Sequence, residues 1–284
     1  MAEMGNPKSS KTKSRYFLKP SSLHLPLAPM QLVATVQHLF FKPAHGIPVQ
    51  PTDQLHFRRG YGIEQDASAQ AGSPRQVLFA GNPALQAFGL NPGDLQENVL
   101  LDVAVEDFAS GMVLQLGDTA QIRLMFLCEP CASLERLKPG LSRKINGKRG
   151  MLGLVVADGV VRQGDPVWGV GDRFPIIPET TRGKFEEFVA RIPPGKVVSS
   201  KSLLMALGLT SSYARAIPTM LKKSAPGLPV HRIVTADGGL FSQHLPHQAA
   251  TLLAEAVVLE GDRVHSAHFW DAQHFHLLDP VTSK

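Results

Sequence analysis

The chain holds two cysteines, and they stand together in Leu127-Cys128-Glu129-Pro130-Cys131. A cysteine sulfur is a soft ligand for molybdenum, copper or iron–sulfur chemistry and the group that carries transferable sulfur. One Cys-x-x-Cys without a second pair cannot complete a four-ligand zinc site. The same residues would also serve as small apolar side chains at a strand end. Just beyond them, Arg136, Lys138, Arg143, Lys144, Lys148 and Arg149 place six cations within 14 residues, with no acid among them. Gly140, Gly147 and Gly150 interrupt that run. Cations on a Gly-rich loop beside a thiol suit an anionic ligand such as a phosphate-bearing cofactor. A solvated loop is the plainer alternative.

A second set of polar residues lies toward the C-terminus. Arg215 falls in Tyr213–Lys223, with Lys222 and Lys223 at its end and Lys201 before it. A guanidinium is planar, always charged, and able both to stack and to donate, which suits nucleic acid; lysines suit phosphate. His231 beside an acid such as Glu255 reads as a satisfied core pair. His265, His268, His274 and His276 lack metal-ligand spacing.

These residues need elements to hold them. Leu114–Leu116, Ile122–Leu127 and Leu152–Ala157 are short apolar runs divided by Gly and Asp. Gly117-Asp118 and Gly164-Asp165 mark turns, and Asp158-Gly159 predicts a two-residue hairpin into Val160–Val161. Pro83–Phe88 is a helical stretch. A β-rich, barrel-like domain follows. Beyond Pro175 and Pro178 the texture changes. Lys184–Arg191 predicts a helix, Lys201–Leu207 another capped by Ser199 or Ser200, and Tyr213–Lys223 a third, with Pro218 expected to kink it. Val230–Thr235 and Leu240–Phe241 predict a small hairpin, and Gln248–Leu259 a last helix. That order is the order of a winged helix-turn-helix module. The fold class expected is therefore α+β: a basic disordered leader over 1–30, a barrel over 31–172, a linker over 173–181, a winged helix over 182–271 and a tail over 272–284.

Length and composition agree. At 284 residues and 43% hydrophobic residues the chain can build two cores, so wholesale disorder is excluded. No apolar run is long enough to span a membrane, and two cysteines suit a reducing, cytoplasmic setting rather than a disulfide scaffold. Of the net charge of +5, the first 20 residues supply +4, so the global excess says little about nucleic acid.

Ordered motifs in the first part resemble the MOSC domain of molybdenum cofactor sulfurases. They are Gly62-Ile63-Glu64-Gln65-Asp66, Arg75-Gln76-Val77, Gly93 to Asn98, Leu116-Gly117-Asp118, Pro130-Cys131, Lys148-Arg149-Gly150 and Asp158 to Asp165. The resemblance implies a β-barrel whose Cys131 carries sulfur or ligates molybdenum. It implies molybdopterin held by Arg143, Lys144, Lys148, Arg149 and Asn98, and a pyridoxal phosphate-dependent cysteine desulfurase as sulfur donor. Some stand-alone relatives reduce N-hydroxylated bases. Gln65 replaces a glycine of the pattern, so that turn is expected to differ.

The second part resembles alkylguanine–DNA alkyltransferases and alkyltransferase-like proteins, through Phe185-x-x-Phe188-Val189, Ile192-Pro193-x-Gly195, Ala214-Arg215-Ala216-Ile217 and Pro229-Val230-His231-Arg232. It implies binding of DNA or a modified nucleobase, with Arg215 replacing a flipped base and Lys201, Lys222, Lys223 and Arg232 as contacts. The residue before His-Arg is the alkyl acceptor cysteine in the repair enzymes. Here it is Val230, whose isopropyl group is no nucleophile, so suicidal alkyl transfer is excluded. The leading expectation is a molybdenum-cofactor-linked thiol enzyme with a DNA-binding module. The rival is a degenerate barrel joined to a DNA reader, without catalysis.

Overall fold

The computed structural model describes residues 30–172 and 174–278. The predicted leader lies outside the described residues.

The N-terminal part alternates apolar and polar positions over short runs, and that period of two closes into a barrel. Its elements are β1 (Gln31–Phe41), β2 (Gln50–Thr52), β3 (Gln54–Arg58), β4 (Gly62–Ile63), β5 (Val77–Gly81), α1 (Asn82–Phe88), β6 (Val99–Leu101), β7 (Met112–Leu116), β8 (Ala120–Leu127), α2 (Ser133–Leu137), α3 (Leu141–Lys144), β9 (Met151–Ala157), β10 (Gly159–Arg162) and β11 (Pro166–Asp172). Among the described residues seven strands form the ring β11-β7-β8-β9-β5-β6-β1, shut by pairing of β1 with β11. Only β5 and β6 run parallel within it. Phe79, Leu114, Ile122, Leu124, Val155 and Val167 fill the interior. Every residue of β5 is buried: on its outer face Ala80 packs with Leu85, Leu134, Leu141 and Ile145, and Leu78 with Met125, Phe126 and Ile177.

Two turns depart from expectation. Asp158 does not join a hairpin: β10 leaves the ring and pairs with β3, Val160 opposite His56, while the Asp158 carboxylate accepts from the Arg59 amide at 2.6 Å. Gln65 keeps its turn by adopting a left-handed φ of 62°. That conformation costs a side chain-bearing residue about 1 kcal/mol. The turn is worth this because Asp66, next in line, accepts from the amides of Lys42 and Ser68 and from Asn98.

The C-terminal part runs α4 (Thr181–Ala190), β12 (Val198–Ser199), α5 (Ser200–Ala206), a 3-10 turn over Ser211–Ala216, α6 (Ile217–Lys222), β13 (Ile233–Val234) and α7 (Gln248–Ala254). Thr180 caps α4 and Ser199 caps α5, each accepting from an amide three residues on. Phe185, Phe188 and Val189 bury one face of α4 against Leu203, Ile217 and Leu221. The predicted third helix is split. Pro218 stands in the first turn of α6, where its missing N–H costs nothing, so it starts a helix instead of kinking one. The expected hairpin is replaced: β13 pairs parallel with β12, and α7 ends at Ala254, short of the predicted Leu259.

The described residues of the expected linker and tail include packed ones. Ile177 is buried among barrel residues and Phe275 within the helical core. Arg123, fully buried on β8, donates to the carbonyls of Pro175 and His276 and lies 4.8 Å from the Phe174 ring centroid. Its guanidinium pKa is pushed down to about 10, by burial first and by Arg191 next. His276 sits between the two parts with its Nε2 against the Ala206 carbonyl, 2.8 Å away.

Candidate functional site

Antiparallel pairing of β8 with β9 sets Leu127 opposite Met151, so the residue after β8 and the residues before β9 are neighbours. The Cys128 amide donates to the Gly150 carbonyl at 2.8 Å. Gly150 has φ 131°, and a Cβ there would collide with the Phe79 carbonyl. This glycine therefore serves a close approach within the barrel wall, and it aims Arg149 inward. Arg149 Nη1 donates to Cys128 Sγ at 2.6 Å and to the Glu129 carbonyl at 3.1 Å. Among the described residues its Nε is buried without a partner. Arg75 Nη2 reaches the same sulfur at 3.5 Å.

This sulfur opens on a cavity of about 290 Å³ lined by Lys42, His45, Ser68, Gln70, Ser73, Arg75, Gln96, Asn98, Cys128 and Arg149, among others. The lining includes three cations and no carboxylate. Burial pulls the Lys42 ammonium below its ordinary value, against the pull of Asp66. Two cationic donors stand beside this sulfur, which is itself 2% exposed and packed with Leu78, Phe126 and Leu152.

Of the predicted site residues, Arg149 and Asn98 line this chamber. Asn98 is occupied by the fold: its side chain accepts from Leu78 and donates to Phe40 and Asp66. Arg143, Lys144 and Lys148 are exposed and outside the lining. Cys131, the sulfur singled out by the resemblance, is also exposed and outside it, 2.8 Å from Ser133 Oγ. Partial burial pushes the Cys131 thiol up, but the Ser133 hydrogen bond and the Arg149 charge outweigh it and hold the thiol below its ordinary value. The chamber's sulfur belongs to Cys128, which the sequence left without a role. The reason is position: Leu127 ends the strand and the Cys128 amide still pairs with its sheet neighbour, whereas Cys131 lies four residues past the strand, where the chain turns into α2. Arg75 and Lys42 were missed because each stands alone in sequence; only barrel closure gathers them.

In the C-terminal part Lys201, Arg215, Lys222 and Lys223 are exposed, and among the described residues none joins an ion pair. Arg215 rides on the 3-10 turn before α6. Arg232 differs from these. Its Nε contacts both Glu255 oxygens at 3.0 and 3.1 Å, Nη2 donates to Glu255 at 2.6 Å, and Nη1 donates to the Ile192 carbonyl at 2.6 Å. A guanidinium so bound holds the fold. The Glu255 carboxyl is held down at about 2, chiefly by Arg232. His231 completes this pair as expected, 2.8 Å from Glu255.

Fold and site thus define a class: a closed barrel bearing a cation-lined thiol, joined to a helical module of DNA-binding type. Residues 181–257 match the family model described as 6-O-methylguanine DNA methyltransferase, DNA binding domain. That match supports DNA binding by this module. No curated protein matches the chain significantly. Among solved structures the chain is similar to the YuaD protein from Bacillus subtilis, at 19% identity over 50% of this chain and 98% of that one, TM-score 0.42. It is similar to YiiM from Escherichia coli, at 20% identity over 69% and 92%, TM-score 0.40. Another is S. pombe Atl1 in complex with damaged DNA containing O6-carboxymethylguanine, at 23% identity over 32% and 94%, TM-score 0.29. Among the described residues no helix is long and apolar enough to cross a membrane.

Proposed function

We propose that this protein is a molybdenum-cofactor-linked thiol enzyme or sulfur carrier that its second module directs to DNA or a modified base. One observation supports the reading: a cysteine sulfur in contact with a buried arginine whose Nε has no partner among the described residues, at the wall of an open cationic chamber. The donor set fits molybdopterin. A soft sulfur suits the metal, and guanidinium and ammonium groups suit a phosphate. Bound there, the cofactor would supply the two-electron chemistry, such as reduction of an N-hydroxylated base, that side chains lack. Cys128 would be the ligand or sulfur carrier, Arg149 would hold its sulfur, and Arg75 and Lys42 would hold the anionic end. A cysteine desulfurase would be the sulfur donor in the carrier case, and free thiols suit a cytoplasmic setting. Arg215 would enter the base stack of DNA, with Lys201, Lys222 and Lys223 on phosphates.

Molybdenum analysis and persulfide mass spectrometry on the wild type, Cys128→Ser and Cys131→Ser test the thiol. Cys128→Ser should lose about tenfold or more of either signal, as expected for a removed ligand, while Cys131→Ser keeps it. Loss confined to Cys131→Ser would restore the sulfur implied by the resemblance. Neither signal in the wild type would leave the non-catalytic DNA reader. For the module, Arg215→Ala should weaken binding to a modified duplex more than to a plain one; equal weakening would reduce Arg215 to phosphate attraction.

A further inference from the structure

The thiol chamber shares a wall with a second cavity. That cleft, about 410 Å³, lies between the barrel and the DNA-binding module. Gln70, Ser73 and Arg75 line both cavities. The module's side supplies Lys201, Leu204 and Met205 from α5, Leu209 after it, and Ala214 beside Arg215. Arg75 spans the boundary: Nη1 donates to the Gly208 carbonyl at 3.2 Å, and Nη2 points at Cys128 Sγ from 3.5 Å.

The two halves differ in chemistry. The barrel chamber is cationic, with Lys42, Arg75 and Arg149 and no carboxylate in its lining. Lys42 Nζ has Ser68 Oγ at 3.2 Å, and among the described residues Arg149 Nε has nothing. The cleft on the module's side is mainly aliphatic, through Leu204, Met205, Leu209 and Ala214. A ligand that satisfies both carries a compact anion at one end and a flat, weakly polar body at the other. The present contacts of Arg75 are with a sulfur and a neutral carbonyl, whereas a phosphate makes charge-assisted, bidentate bonds to a guanidinium.

We propose that the two cavities form one bipartite site for a nucleoside monophosphate. The base lies in the cleft against α5 and the Ser211–Ala216 turn, and the phosphate lies in the barrel chamber between Arg75, Lys42 and Arg149. Arg75 is the hinge between the halves, giving up its sulfur contact to take a phosphate oxygen. The site goes beyond the function proposed above: its phosphate would use the same Lys42 and Arg75 as the cofactor's anionic end, so nucleotide and cofactor would compete for the chamber. The occupant is either a free nucleotide or the 5′-phosphorylated end of a strand brought by the module.

Calorimetric titration of the full-length protein tests this. dGMP should bind about tenfold more tightly than deoxyguanosine and than inorganic phosphate, since it alone makes both the charge-assisted bonds and the cleft contacts. Arg149→Met should bring dGMP down to the level of deoxyguanosine. Ala214→Trp, which fills the cleft from an exposed position, should bring it down to the level of phosphate. Arg75→Met should lose about tenfold, with Arg75→Lys recovering part. Protection by a 5′-phosphorylated oligonucleotide but not its 5′-hydroxyl twin would assign the occupant to a strand end; binding of dGMP alone would assign it to the free nucleotide. Either supports the site. Phosphate binding as well as dGMP, no binding of dGMP, or an Arg75→Met variant as tight as wild type would each overturn it. The cofactor reading fails separately, if Cys128→Ser keeps its metal and persulfide signals while dGMP still binds.

Discussion

Arg149 and Arg232 are both largely buried arginines that close a stretch of backbone, and they behave oppositely. Arg232 spends nearly all its donors on one carboxylate and one carbonyl, so that a charge pair, His231 and the Gly195 amide meet on Glu255. Arg149 has a sulfur, a carbonyl and an idle Nε. A buried charge whose partners are complete stabilises the fold around it; one left incomplete beside a cavity marks a place where a ligand completes the set. The contrast separates a His-Arg element that holds the module together from a Lys-Arg-Gly element whose arginine keeps a donor without a partner among the described residues, as Arg123 Nε also does.

The largest expected effect is on the complete side. Glu255→Gln leaves Arg232 without its counter-charge and should cost the module about 3 kcal/mol in chemical denaturation. A loss below about 1 kcal/mol, the range of exposed pairs, would mean that the clamp is a surface ornament.

Acid should then undo the module in two stages. His276 is buried neutral, with its pKa pushed down to about 3, first by burial and then by Arg191. A folded value depressed below the unfolded one near 6.5 gives stability that is whole above pH 6.5 and declines as pH falls toward 3. Glu255, ordinarily near 4.5 and held at about 2, adds stability that is whole above pH 4.5 and lost as pH falls toward 2. His276→Gln should flatten the upper stage and leave the lower. A pH profile flat between 6.5 and 5 in the wild type would contradict the neutral burial of His276.

On the incomplete side the effect on stability should be smaller. Arg149→Met should change unfolding free energy by less than about 1 kcal/mol, because replacing a poorly paired buried charge with an apolar chain of similar size is often neutral or stabilising. A loss as large as that for Glu255→Gln would make Arg149 another structural clamp. The smallest change expected is a gain: Gln65→Gly should relieve the left-handed strain and stabilise the barrel by up to about 1 kcal/mol in the same assay.

Much of this molecule was legible in its residues. The short apolar runs divided by Gly and Asp gave away the barrel strands, and Ser199, Gly208 and Phe185-x-x-Phe188-Val189 marked the helices of the module. What stayed hidden depends on non-local pairing. Asp158-Gly159 has the chemistry of a hairpin, yet β3 competes for β10 and wins. Pro218 reads as a helix breaker until the helix proves to begin at Ile217. The chamber itself gathers Lys42, Arg75, Asn98, Cys128 and Arg149 from five separate stretches of chain, whereas the family resemblance singled out the neighbouring, exposed Cys131.

The idle guanidinium nitrogen of Arg149 is the point most directly open to measurement. Thermal unfolding of wild type and Arg149→Met, followed at constant ionic strength as phosphate is raised, reads whether that group awaits an anion. Saturation at about 100 times the dissociation constant should add about 2.7 kcal/mol to the wild type and almost nothing to the variant. Parallel curves for the two proteins would show that the arginine only shields a buried sulfur.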